Sequence, residues 1–374
     1  MADKKADLAG PGISTYEEVD KILPSGYHSI LDPKETQIAV TAVKRYIEDG
    51  LCRELNLFRV EVPLIVSKES GVNDYLDRDG SRTPVEFPCG LGLPKRIEAQ
   101  VVQAATKWKR LALKQFGCKV GEGIVTDMRA VRKDYFLDHD HSAYVDQWDW
   151  EKVMTPEQRN LSFLKDTVRR IWKVLRGAEA HAFELFPKLK GLYPEMPEEL
   201  RFLHAEEILD MYPDMPRKQW ETAILQKYPA VFIIGIGWVL QDGYPHEMRA
   251  ADYDDWVTPT DKETGKPTHG LNGDILVWNP VTKRRHELTS MGIRVTKETL
   301  KQQLELSNQL DFLKLPYHQA IINDQIPLSI GGGIGQSRTV MHILKKAHLG
   351  EVSVTVWPKQ LKDICVAKNI HVLE

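Results

Sequence analysis

Apolar residues recur with two periods along this chain, and the alternation between them lays out its elements. Ala39, Val43, Tyr46 and Ile47 fall at i, i+4, i+7 and i+8, the spacing of one helical face. Pro33 suits the first turn of that helix and Gly50 its end. Residues 57–64 then alternate as a strand that Pro63 restricts to an edge or terminal position. Residues 69–94, rich in Asp, Gly, Arg and Pro, read as a long exposed loop, and 97–116 as a second helix. Strands are expected at 123–131 and 143–153, paired antiparallel across a polar loop at 133–142.

The strongest helical stripe is Leu161, Leu164, Val168, Ile171, Trp172 and Leu175, within a helix expected over 157–186. Thr155, Pro156 and Gln158 supply cap, first turn and capping box, and Pro187 stops it. Strands follow at 231–240, 274–279 and 286–295, helices around Leu300 and Leu304 and over 316–323. The last helix follows Gly331 to Gly335 and carries Val340, Leu344 and Ala347 on one face. Residues 1–26 read as a mobile polar extension with a short helix near 16–22, and 27–374 as a single domain. Strands and helices without regular βαβ alternation imply an α+β fold with a mainly antiparallel sheet flanked by helices.

Composition narrows the partners. A chain that is 42% hydrophobic and 28% charged has the profile of a globular protein. With 50 Lys and Arg against 53 Asp and Glu, the net charge of -3 supplies no cationic surface for nucleic acid. The longest apolar run, 230–240, is about half a bilayer span, so no membrane partner is expected. The four cysteines stand far apart, and reduced thiols in a cytoplasmic protein are expected. The first residues carry neither a secretory nor an organellar pattern.

Three segments can carry chemistry. Gly-Gly-Gly-Ile-Gly-Gln-Ser-Arg over 331–338 fits neither the dinucleotide fingerprint nor the Gly-Lys-Ser/Thr phosphate loop. An arginine in the first turn after a glycine-lined strand can instead pair bidentately with phosphate. Alone, the run serves equally as a strand-to-helix packing joint. On the second strand of the 123–153 pair, Gln147, Asp149 and Glu151 share a face. They can serve an α-amino group or form an ordinary solvated sheet face. In Glu-Leu-Thr-Ser-Met-Gly-Ile-Arg over 287–294, regular geometry sets Glu287 and Thr289 on one face and Ser290 and Arg294 on the other, with the small residues and Gly292 suggesting a bulge or close ligand approach. Glu287 suits Mg²⁺ shared with phosphates, and Asp274 can assist it. Asp-His-Asp-His over 138–141 resembles a metal set, though such loops are more often merely polar.

Taken in order, these segments resemble the three motifs of class II aminoacyl-tRNA synthetase cores: the helix and strand ending at Pro63, Arg132 with the hairpin to Glu151, and the run to Arg338. Longer stretches sharpen the likeness: 107–110, 141–151, 252–256 (Asp-Tyr-Asp-Asp-Trp), 271–280 and 290–294 resemble the ammonia-dependent asparagine synthetases, the aspartate–ammonia ligases. That resemblance implies an ATP-dependent ligase that makes L-asparagine from L-aspartate and ammonia through a β-aspartyl-adenylate, releasing AMP and pyrophosphate. It implies Arg132, Asp254, Glu287, Thr289 and Arg338 around ATP, with Glu287 and Asp274 holding Mg²⁺. Asp74, Lys109, Gln147, Asp149, Ser290 and Arg294 would hold aspartate, and Arg132, Arg338 and Asp74 would act in catalysis. It also implies a homodimer. A chain opening Met1-Ala2 leads to the expectation of free ammonia, since an N-terminal cysteine is what glutamine-using enzymes employ. Two rivals are a paralogue that charges tRNA and a degenerate synthetase fold serving as a regulatory partner.

Overall fold

A mixed sheet of eight strands organises the chain in the computed structural model, which describes residues 13–75 and 82–374. The strands of this sheet are β1 (Leu57–Arg59), β5 (Gly123–Val131), β6 (Tyr144–Val153), β7 (Arg201–His204), β8 (Ala230–Ile234), β9 (Asn272–Asn279), β10 (Arg284–Ile293) and β11 (Ser329–Gly335), in the spatial order β1-β5-β6-β11-β10-β9-β8-β7. The centre is antiparallel, but β1 runs parallel to β5 and β7 parallel to β8 at the two edges. The expectation of a mainly antiparallel sheet is corrected here. Parallel neighbours need a crossover. Helices Ala205–Met211 and Arg217–Lys227 supply it between β7 and β8.

Four other expectations change. Residues 97–116 divide into β4 (Ile97–Val101) and helix Thr106–Gln115. With β2 (Ile65–Ser67) and β3 (Glu86–Cys89), β4 forms a second sheet in the order β2-β4-β3, so 69–94 is only partly loop. Strand β1 ends at Arg59, well before Pro63. Helix Pro33–Leu55 runs through Gly50, where a Cβ would lie 2.6 Å from Val174 Cγ1. That glycine marks the close crossing with the long helix Leu161–Leu185, and the helix ends where Asn56 turns left-handed at φ 58°.

The long helix begins at Leu161, with Asn160 as N-cap accepting from Phe163 N at 2.8 Å. The Thr155–Gln158 pairing caps a separate 3₁₀ turn, Pro156–Gln158. The main core joins this helix to Trp148 and Trp150 of β6. It extends to Val19 and Leu23, each at most 1% exposed, so the helix Tyr16–Ile22 is docked in the core. Of the expected mobile extension, residues 1–12 lie outside the described residues. No helix among the described residues is long and apolar enough to cross a membrane.

Candidate active site

Strands β6, β11 and β10 form the floor of the site. Seven consecutive residues of β11 pair with β6, setting Gly331 against Glu151, Gly333 against Asp149 and Gly335 against Gln147. Tryptophans 148 and 150 point into the core, so period two turns Gln147, Asp149 and Glu151 to the opposite face. The glycines of β11 are required by what crosses them. A Cβ on Gly331 would lie 1.9 Å from Glu151 Oε2, and one on Gly333 2.7 Å from Gln147 Oε1. The crowding at these two glycines comes from side chains of the neighbouring strands and not from the helix that follows.

A cavity of about 510 Å³ opens above this floor, lined by Arg132, Gln147, Glu287, Ser290 and Arg338 together with His141, Glu247 and Arg285. The two arginines are anchored alike. Arg132 Nε donates to the Gln103 carbonyl at 3.0 Å, and Arg338 Nε to the Asp140 carbonyl at 3.1 Å. Each keeps its two Nη groups for further partners, the form in which guanidinium grips phosphate. Arg338 Nη1 lies 3.9 Å from Glu287 Oε1.

Beside the cavity lies a buried polar network. Lys109 Nζ donates to Asp149 and to the Gly332 carbonyl at 2.8 Å. Arg294 forks onto Glu151 at 3.0 and 2.8 Å and onto Asp254 at 2.5 Å. Burial opposes the charge on Arg294, but Glu151 and Asp254 outweigh it and hold its pKa above the ordinary value. Asp254, expected beside ATP, is therefore the inner partner of Arg294. Asp74 accepts from Thr106 N at 2.9 Å through Oδ2. Its Oδ1 and the Oδ2 of Asp149 are buried without a hydrogen-bond partner. Burial pushes the pKa of Asp74 up to about 6 against the attraction of Lys107, with Asp252 and Asp149 adding to the rise. Lys107 itself bonds Asp252 at 2.9 Å, and His318 meets the same carboxylate at 3.0 Å.

The β-bulge expected near Gly292 falls between Glu287 and Thr289 instead. It brings Glu287 and Ser290 to one face, both lining the cavity, where regular geometry would have separated them. Thr289 is 1% exposed and its hydroxyl accepts from Ile275 N at 3.2 Å, so it is used inside the sheet. Asp274 is paired with Arg249; burial raises its pKa to about 8, with Glu287 and Glu247 contributing against Arg249. Glu247 and Glu287 thus line one end of the cavity, with Asp274 buried behind them, and the proton affinities of Glu247 and Asp274 are raised. That oxygen donor set fits a hard divalent cation held jointly with phosphates. Glu247 escaped the sequence reading because it lies in an aperiodic connection between β8 and β9.

The Asp-His-Asp-His loop does bring donor atoms of Asp138, His139 and Asp140 within 4.8 Å of one another. Asp138 Oδ1, however, already accepts from the backbone N–H of Asp140 and His141 at 2.9 Å. The His141 ring lies between the two carboxylates, 3.1 Å from Asp138 and 2.9 Å from Asp140. Burial works against its charge, yet Asp140 wins and the pKa of His141 reaches about 9. The loop supplies its own cation.

An antiparallel-centred sheet with a glycine-lined strand, two forked arginines and flanking carboxylates defines the class II aminoacyl-tRNA synthetase-like catalytic core. The solved structures agree on the fold. Asparaginyl-tRNA synthetase from Entamoeba histolytica superposes with a TM-score of 0.61 at 11% identity, over 86% of this chain and 67% of that one. The enzyme from Pyrococcus horikoshii complexed with asparaginyl-adenylate gives 0.59 at 14% identity, over 85% and 68%. Within that class, the aspartate-ammonia ligase family model matches residues 34–369. The aspartate–ammonia ligase of Bacillus cytotoxicus is 46% identical over 346 residues, 92% of this chain and 99% of the relative. That of Bacteroides fragilis is 46% identical over 353 residues, 94% and 99%. The chain belongs to the aspartate–ammonia ligase family.

Proposed function

We propose that this chain ligates L-aspartate and ammonia at the expense of ATP, acting in the cytoplasm without a nucleic-acid partner. One observation carries the reading furthest: two partnerless buried carboxylate oxygens, Asp74 Oδ1 and Asp149 Oδ2, lie beside Lys109 and the Arg294 network. Carboxylate oxygens buried without a donor call for a ligand that supplies one. The α-ammonium of an amino acid and an incoming ammonium are both such ligands.

In the first step a β-carboxylate oxygen of aspartate forms a bond to the α-phosphorus of ATP, and the bond to pyrophosphate breaks. Arg132 is assigned to the α-phosphate and Arg338 to the γ-phosphate, where charge collects on the leaving group. Each such contact stabilises a transition state by ~2–4 kcal/mol. Glu287, with Glu247 and Asp274 nearby, would hold Mg²⁺, which when bound neutralises phosphate charge. In the second step the ammonia nitrogen attacks the acyl carbon, AMP departs, and the surplus proton passes to a carboxylate. Asp74 is the assigned acceptor, because its raised pKa makes it a better base than an ordinary aspartate. Lys109, Gln147 and Ser290 would orient aspartate, with Arg294 meeting its carboxylate.

The test is direct. Incubated with ATP, aspartate and ammonium, the enzyme should yield AMP and asparagine in equal amounts. ADP as product, AMP formed only with tRNA present, or no turnover would sink the assignment. Arg338→Ala should lower turnover by roughly 10²-fold with an unchanged circular dichroism spectrum; near-normal turnover would exclude its phosphate role.

A further inference from the structure

Arg338 stands in the first turn of helix Gln336–Ile343, and more than its side chain is tied down. While Nε donates to the Asp140 carbonyl at 3.1 Å, the carbonyl of Arg338 itself lies 2.9 Å from His286 Nε2. The other nitrogen of that imidazole, Nδ1, faces Asp140 Oδ2 at 3.6 Å. The three residues close a ring: Asp140 holds the side chain of Arg338, His286 holds its main chain, and His286 meets Asp140. His286 is 1% exposed and stacks on His342, with ring centroids 6.0 Å apart at 20°. It sits on β10 immediately before Glu287, and its side chain is turned to the helix, away from the cavity. Nothing in the proposed chemistry uses it.

We propose that His286 is a positioning residue for Arg338, fixing the main chain from which the guanidinium reaches the triphosphate. The inference rests on the phosphate-binding reading of Arg338. An arginine side chain loses rotamer entropy when it is immobilised. If the Asp140–His286 clasp imposes that order in the folded enzyme, ATP meets a preformed two-pronged grip and need not impose it. With Nε engaged by Asp140, Nη1 and Nη2 are left as parallel donors. His286 contacts no reacting group, so its influence on ATP must run through Arg338.

His286→Phe keeps ring volume and stacking but removes the donor; His286→Gln restores an N–H near the same carbonyl. Aspartate-dependent exchange of pyrophosphate into ATP is to be measured for both variants, for Arg338→Ala and for the His286→Phe/Arg338→Ala pair. We expect His286→Phe to raise the KM for ATP roughly tenfold, with the KM for aspartate changed less than about twofold. His286→Gln should recover most of the loss, and His286→Phe should add nothing once Arg338 is alanine. An unchanged KM for ATP, equal rises in both KM values, or additive losses in the pair would each overturn the positioning role. A normal KM for ATP in Arg338→Ala would instead remove the phosphate reading, and the inference with it. Should His286→Phe lose its folded near-ultraviolet spectrum, His286→Gln decides: a folded Gln variant with a tenfold raised KM for ATP overturns the donor role, and wild-type behaviour supports it.

Discussion

Asp74 shows how one side chain can serve chemistry at a cost to the fold. Its pKa in the folded chain is about 6 against an ordinary 3.8, so the folded state binds the proton more tightly than the unfolded one. Stability therefore falls as pH rises from about 4 to about 6, and levels off above that window. Asp74→Asn removes the buried charge, and should raise stability at pH 7 by about 1–3 kcal/mol in denaturant titrations. The same variant should slow asparagine formation by ~10²-fold and abolish the fall in activity below about pH 6. A variant that is less stable, or that keeps the acidic limb, would contradict this assignment. At this scale the residue types were legible: Arg132, Gln147, Glu287, Ser290 and Arg338 do share one cavity. Asp254 does not line it, because Arg294 claims it, and Thr289 lines it with its hydroxyl already accepting from the Ile275 N–H; such partners come from distant segments.

The glycine strand carries the lesson at the scale of an element. Its neighbours differ in what they tolerate. At Gly331 a Cβ would meet Glu151 Oε2 at 1.9 Å and Arg294 Nη2 at 2.7 Å, whereas at Gly335 the nearest contact would be Arg338 Cβ at an ordinary 3.5 Å. Gly331→Ala should thus cost about 1–3 kcal/mol of stability and raise the KM for aspartate, by displacing the Glu151–Arg294 pair. Gly335→Ala should stay within about 0.5 kcal/mol of wild type; equal losses at the two positions would show that the strand senses backbone freedom instead of side-chain crowding. Period and capping located the strongly patterned elements, such as β5, β6 and the long helix. They failed at 97–116, where the sequence spacing suits a helix but the first five residues bridge β2 and β3. They also failed at the β10 bulge, whose position depends on a Thr289 hydroxyl replacing a ladder partner.

For the whole molecule, assembly is the open surface question. Helix Pro33–Leu55 exposes Ile38 at 52%, and the sheet edge at β1 exposes Phe58 at 44%, with Leu64 and Ile65 half-exposed beyond it. An open strand edge with apolar neighbours is normally covered. A homodimer across this face is proposed, and light scattering at micromolar concentration should report twice the chain mass. Ile38→Glu with Phe58→Glu should yield a folded monomer; a wild-type monomer at the same concentration would refute the interface.

The sequence by itself determined the patterned elements, the order of the three motif-like segments and the identity of the two arginines. Those depend on local periodicity and residue chemistry, which travel with the chain. Only the tertiary structure decided that Asp254 serves Arg294, that Glu247 joins the acidic end of the cavity, and that His286 and Asp140 clasp Arg338. The edge strands, parallel where antiparallel pairing was expected, were settled at the same level. Each of these depends on contacts between segments tens or hundreds of residues apart, and no local pattern records which side chains a fold will bring together.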